Sequence, residues 1–139
     1  AMVKHYYGLV VKMAQQKPDI LAHFDLITKF NNGNYYFDEG STEYKEIALK
    51  ALEKSAKAGC IFEFNSGGMY RGFTQYPYPS KFLLKRLLEL KVPIIISSDS
   101  HDVRSLDFYF NEMLAILVNL GFREIILLGK RGFYKKSIA

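Results

Sequence analysis

Tryptophan is absent from the 139 residues, and there is a single cysteine, Cys60. One cysteine cannot form an intramolecular disulfide, so the fold has to hold without a covalent staple and a reducing cytoplasm is the expected compartment. No apolar run approaches the roughly 18 residues needed to cross a bilayer, and the stretch from Ala1 to Asp19 lacks the continuous apolar core of a signal peptide. No membrane partner is therefore expected. Proline is scarce, with four residues, and no low-complexity run, internal repeat or interdomain linker interrupts the chain. What is abundant is apolar and aromatic. Hydrophobic residues make up 49% and charged residues 24%, which excludes wholesale disorder. The 10 tyrosines and 11 phenylalanines are expected to fill much of the core. A net charge of +5 suits an anionic ligand but is too small to argue for nucleic acid by itself.

Amphipathic stretches alternate with short apolar ones. The 3.6-residue period predicts helices over residues 3–16, 42–58, 80–91 and 105–120. Strands are predicted at Asp19–Asp25, Cys60–Asn65, Val92–Asp99 and Glu124–Leu128, with residues 129–139 left as a short tail. Residues 31–41 and the glycine-rich Ser66–Gly72 read as loops. Such an αβ alternation implies parallel strands covered by helices and joined by right-handed connections. Two architectures fit, an open doubly wound sheet or part of a βα barrel.

Three successive strands end in a polar pair at i, i+2: His23 with Asp25, Glu63 with Asn65, and Asp99 with His101. Alternate strand residues share a face, and strand C-termini in parallel folds share the edge where active sites are built. Six polar groups would converge there, and imidazole with carboxylate is a ligand set for Zn, Mn or Fe. Each group has a plainer reading. His23 alone could be a core histidine, and Asp25 could cap the turn at Leu26–Phe30. A turn or helix cap would account for Asp102 and Ser105, but not for Asp99 with His101. Glu63, between Phe62 and Phe64, would be a costly buried carboxylate unless paired or functional. The recurrence of the pair on three strands favours a site. Arg71, among loop glycines, suits a phosphate or carboxylate, or else is a solvated surface arginine. Cys60 is expected in the core, His5 on a helix surface, and Lys130, Arg131, Lys135 and Lys136 in solvent. No P-loop, dinucleotide fingerprint or C-x-x-C is present.

The blocks Asp19-Ile-Leu-Ala-His-Phe-Asp-Leu-Ile27, Phe62-Glu-Phe-Asn-Ser-Gly-Gly-Met-Tyr-Arg-Gly72, Tyr78-Pro-Ser80 and Ile96-Ser-Ser-Asp-Ser-His101 resemble the later motifs of the PHP (polymerase and histidinol phosphatase) superfamily. The nearest branch is the PHP-type histidinol-phosphate phosphatases. The resemblance implies an α/β chain of parallel βα units forming the C-terminal part of a distorted, TIM-like (βα)7 barrel. Residues 1–139 would then be a single partial PHP domain.

It further implies His23, Asp99 and His101 as metal ligands, with Asp99 and His101 catalytic. Arg71 would bind substrate phosphate, with Glu63 and Asn65 placed at the substrate, while Asp25 and Ser98 would orient the ligands from behind. Up to three divalent metals (Zn, Mn or Fe) and a phosphorylated small-molecule substrate, L-histidinol phosphate, are implied, in histidine biosynthesis. The opening His-x-His motif of the family is missing, so about half the ligands and half the barrel are expected to come from another chain or from an N-terminal half. The alternatives are a catalytically incompetent half-barrel acting as an interaction module, or a nucleic-acid-linked PHP protein. Scattered basic residues disfavour the last.

Overall fold

In a computed structural model describing residues 1–139, four long helices and one single-turn helix are interspersed with five strands in an α/β arrangement. Helix α1 spans Met2–Gln15 and buries Tyr7 and Ala14. Helix α2, Thr42–Ala56, starts where the Ser41 hydroxyl accepts from the Tyr44 N–H at 3.2 Å, a side-chain N-cap. Its buried stripe of Tyr44, Ala48, Ala51, Leu52 and Ser55 keeps the helical period. Helix α4, Lys81–Glu89, follows Ser80 and buries Leu83, Leu84 and Leu87.

Strands β1 (Ile20–Leu21), β2 (Ile61–Asn65) and β3 (Ile94–Ser97) form a parallel sheet in the order β1-β2-β3. Phe62 pairs with Ile94, Glu63 with Ile95, Phe64 with Ile96 and Asn65 with Ser97. Strand alternation therefore sorts β2 by face. Phe62 and Phe64 enter a core cluster with Tyr7, Tyr44, Leu52, Leu84, Ile94, Met113 and Leu117, drawn from every long helix. Glu63 and Asn65 take the opposite face. At about 25 cal/mol per Å² of apolar surface removed from water, each large core side chain contributes roughly 1.5–3 kcal/mol.

Several expectations need correction. Strand β1 has two residues rather than seven, because the backbone turns left-handed at His23 (φ 28°). The loop after β2 holds a one-turn helix, α3 (Gly67–Tyr70). The last long helix, α5 (Phe110–Leu120), begins five residues late, since Val103–Ser105 is a 3-10 turn and Tyr109 is left-handed at φ 67°. It ends at Gly121 (φ 111°), where glycine carries no Cβ penalty. Strand β4 (Glu124–Gly129) is not a fourth parallel strand. It pairs antiparallel with β5 (Gly132–Ser137), drawn from the expected tail, in a separate two-stranded sheet. Every residue of β5 is exposed, so the basic residues there are solvated, as expected. No helix is long and apolar enough to cross a membrane.

Candidate functional site

The C-terminal ends of β2 and β3 and the turn after β1 meet through side-chain contacts. The Glu63 carboxylate, 8% exposed, accepts from the His23 backbone N–H at 2.8 Å and from Asn65 Nδ2 at 2.9 Å, both on Oε2. The side-chain Oδ1 of Asn65 in turn accepts from the Gly67 N–H at 2.8 Å. The i, i+2 pair on β2 thus shares a face as predicted, and its polar groups pin the neighbouring segments. Pairing resolves the cost of burying Glu63. It also leaves both ends of the Asn65 amide engaged within the protein.

Arg71 follows α3 and reaches across to the segment after β3. Its Nη2 lies 3.0 Å from Asp99 Oδ2, and its Nη1 donates to the Asp99 backbone carbonyl at 2.9 Å. Close packing makes this reach possible. A Cβ at Gly67 would meet Arg71 Nη2 and the Ser98 carbonyl at 2.7 Å each, and one at Gly68 would meet the Tyr78 hydroxyl at 2.5 Å. Gly67 and Gly68 are thus needed for close contact. Asp99 is left-handed at φ 46°, and its N–H is held by Ser97 Oγ at 3.1 Å.

His101 is exposed, and its Nδ1 lies 2.9 Å from the Asp99 carbonyl and 3.2 Å from Arg71 Nη1. With its proton on Nδ1 the neutral ring donates to that carbonyl, and with its proton on Nε2 it accepts from Arg71. In the Nδ1-protonated form the Nε2 lone pair is free to accept a proton. Ser98, buried, donates to the Leu106 carbonyl at 2.9 Å and so fixes the following loop. Asp102 caps the turn after it, accepting from the Arg104 N–H at 2.9 Å. Arg104 also holds the Asp102 carboxyl below its ordinary value.

Asp25 departs from both of its expected roles. Its side chain makes no capping bond to the turn at Leu26–Phe30. No hydrogen bond joins it to His23 either, and it turns into the interior. At 1% exposure it accepts from Tyr7 at 2.5 Å and Tyr44 at 2.7 Å, both on Oδ1, with the Ser80 N–H 3.4 Å from Oδ2. Burial pushes the Asp25 carboxyl up, and the two tyrosine hydroxyls pull it part of the way back. Burial, together with the negative Asp25, also pushes both phenols upward. Tyr7 and Tyr44 are legible in the sequence only as apolar stripe residues. The available signal is a tyrosine on each of two buried helical faces, with Asp25 on the chain between them. Cys60 is buried with its thiol pushed up, as befits a core residue rather than a nucleophile.

His23 comes to the cluster through its backbone N–H. The metal ligands expected from resemblance do not assemble: no three His, Cys, Asp or Glu side chains gather closely enough to hold a metal ion. The cation beside Asp99 and His101 is the Arg71 guanidinium.

No family model matches the chain. It is 26% identical over 125 residues, 89% of its length, to a probable histidinol-phosphatase of Deinococcus radiodurans. The chain spans 45% of the length of that protein, and the similarity is distant.

Proposed function

We propose that the chain carries part of a phosphomonoester-hydrolase site of the histidinol-phosphatase kind, on the second half of a βα barrel whose remaining site residues come from another chain or an N-terminal half. One observation carries this reading: Arg71, Asp99 and His101 converge at the C-terminal edge of a parallel sheet, beside a turn stripped of side chains at Gly67 and Gly68. The distant similarity to a probable histidinol-phosphatase supports a phosphatase-like activity. L-Histidinol phosphate is the substrate suggested by the motif resemblance.

The roles follow from the donor inventory. The Arg71 guanidinium presents a planar fork suited to two phosphate oxygens and would exchange Asp99 for them. In the ring form protonated at Nδ1, His101 Nε2 would take a proton from the attacking water or return one to the leaving alkoxide. Asp99 holds Arg71 in place before the phosphate arrives. Glu63 and Asn65 are positioning residues, since their polar atoms fix His23 and the turn that leads to Arg71. The expected divalent metals have no preformed seat among these side chains, and each of these roles uses only groups that the chain owns.

The test is calorimetric binding of L-histidinol phosphate with Mn²⁺ present, against phosphate-free L-histidinol and the Arg71→Ala variant. The phosphate ester should bind, and Arg71→Ala should weaken it by at least about tenfold, the ~1.4 kcal/mol low end for a charged hydrogen bond. Equal affinity for ester and alcohol, or no binding of either, would overturn the reading.

A further inference from the structure

A cavity of about 250 Å³ lies apart from the Arg71–Asp99 contact: neither residue lines it, nor does His101. Its lining is one-sided in charge. Asp25 and Glu39 belong to it, and no lysine, arginine or histidine does. Neither carboxylate is saturated by the protein. Asp25 gives Oδ1 to two phenols and leaves Oδ2 only the Ser80 N–H at 3.4 Å. Glu39 is engaged at Oε1 by Asn31 Nδ2 at 2.8 Å. Two hydroxyls of lining residues are also without partners. Tyr78 is 3% exposed, and neither its hydroxyl nor Ser80 Oγ makes a hydrogen bond. Buried polar atoms normally find a partner, so this lining holds more hydrogen-bonding capacity than the protein uses. Phe73 adds an aromatic wall, and its ring already attracts one ammonium, Lys29 Nζ, at 4.7 Å from its centre.

We propose that this cavity binds a small organic ammonium ion, with Asp25 and Glu39 as its counter-charges and the Tyr78 and Ser80 hydroxyls as further acceptors. The donor inventory selects that class. Ionised carboxylates only accept, and a hydroxyl can accept as well as donate. A primary ammonium supplies three donors and one positive charge, and its alkyl part packs on Phe73. An anion would instead meet two carboxylates with no cation to offset them. A metal ion would find no group of three His, Cys, Asp or Glu side chains to hold it. Burial disfavours the charge on Asp25, so an arriving cation offsets a cost that the carboxylate otherwise bears. The volume keeps the ligand small, since sites for drug-sized molecules enclose roughly 300–1,000 Å³. The inference does not rest on the phosphate reading above.

The experiment titrates the 139-residue protein with propylammonium chloride and, separately, with propan-1-ol, followed by two-dimensional ¹H–¹⁵N magnetic resonance. Propylammonium should give saturable shifts at the amides of Asn31 and Thr74, both of which line the cavity. Propan-1-ol, of the same size but uncharged, should bind at least about tenfold more weakly, a difference of ~1.4 kcal/mol. Equal affinity for the two probes, or no saturable shift with propylammonium, overturns the proposal. Glu39→Gln should weaken propylammonium by at least about tenfold. Glu46→Gln removes the same charge from an exposed position on α2 and should leave the affinity unchanged. An unaltered affinity in Glu39→Gln, or an equal loss in both variants, also overturns it. The comparison of the two probes uses wild type alone, so it decides even if Glu39→Gln fails to fold. No probe carries phosphate, so a failure here is separable from failure of the L-histidinol phosphate test.

Discussion

Tyr44→Phe isolates the buried network around Asp25. Phenylalanine keeps the ring and its packing against Phe37 and Phe82, whose centroids lie 5.1 and 5.9 Å away. Only the hydroxyl that donates to Asp25 Oδ1 at 2.7 Å is removed. Tyr44 is 3% exposed and Asp25 1%, so no water replaces the lost donor. A hydrogen bond to a charged group is worth about 1.5–3 kcal/mol, and the expected loss at neutral pH is about 2 kcal/mol. With a urea slope of about 1–3 kcal/mol per molar, the unfolding midpoint should fall by about 1 M.

The loss also has a signed pH dependence. The native Asp25 carboxyl is raised above its ordinary 3.8, so the native state holds the proton more tightly than the unfolded chain. The stability this contributes is complete below the ordinary value and fades as pH rises through the native one. Tyr44 is one of the bonds that lower the native value. Its removal carries the fading to higher pH, and the difference between variant and wild type should shrink as pH falls and Asp25 becomes neutral. Urea titrations across that range provide the assay, with Tyr36→Phe, at a residue 61% exposed, as the control expected to stay within about 0.5 kcal/mol. A loss no larger than the control at neutral pH, or one that grows with acidity, refutes the account.

Two further variants probe the edge itself. Gly68→Ala should destabilise by about 1–3 kcal/mol through overpacking against the Tyr78 ring. Alanine favours a helical position, so a rise in thermal midpoint would mean that the close packing is unimportant. His101→Ala should lower phosphate release from L-histidinol phosphate in the active assembly by at least about 100-fold, the low end for a general acid–base group, with little change in melting temperature because the residue is exposed. Unchanged turnover would remove His101 from the mechanism.

The four long helices are legible in the sequence because their apolar stripes keep the helical period and two of them start at a serine, Ser41 and Ser80. The two longer parallel strands are legible as short apolar runs. The β4–β5 hairpin is not, because Glu124–Leu128 reads equally well as a parallel strand. The decisive feature is the tight return between Gly129 and Gly132, which pair across it. The start of α5 is obscured because Leu106 and Tyr109 extend its apolar period, while a left-handed Tyr109 breaks the backbone. At the site, period-two reasoning holds where it applies to a real strand, at Glu63 and Asn65. It fails at His23 and Asp25, which lie beyond the end of β1 and no longer alternate. Arg71 is legible as an anion-binding candidate, but its engagement with Asp99 joins residues 28 positions apart, which local sequence does not encode.

The left-handed backbone at His23 and Asp99 has a consequence for how the chain can change over time. Histidine and aspartate tolerate this region better than most side chains, yet a non-glycine residue there still costs on the order of 1–3 kcal/mol. Under selection for folding alone, both positions would drift toward glycine, which adopts the same backbone without steric penalty. A lineage that keeps side chains at both places moves uphill against that drift. At Asp99, whose carboxylate holds Arg71, gaining thermal robustness and keeping the edge chemically equipped therefore pull the sequence in opposite directions.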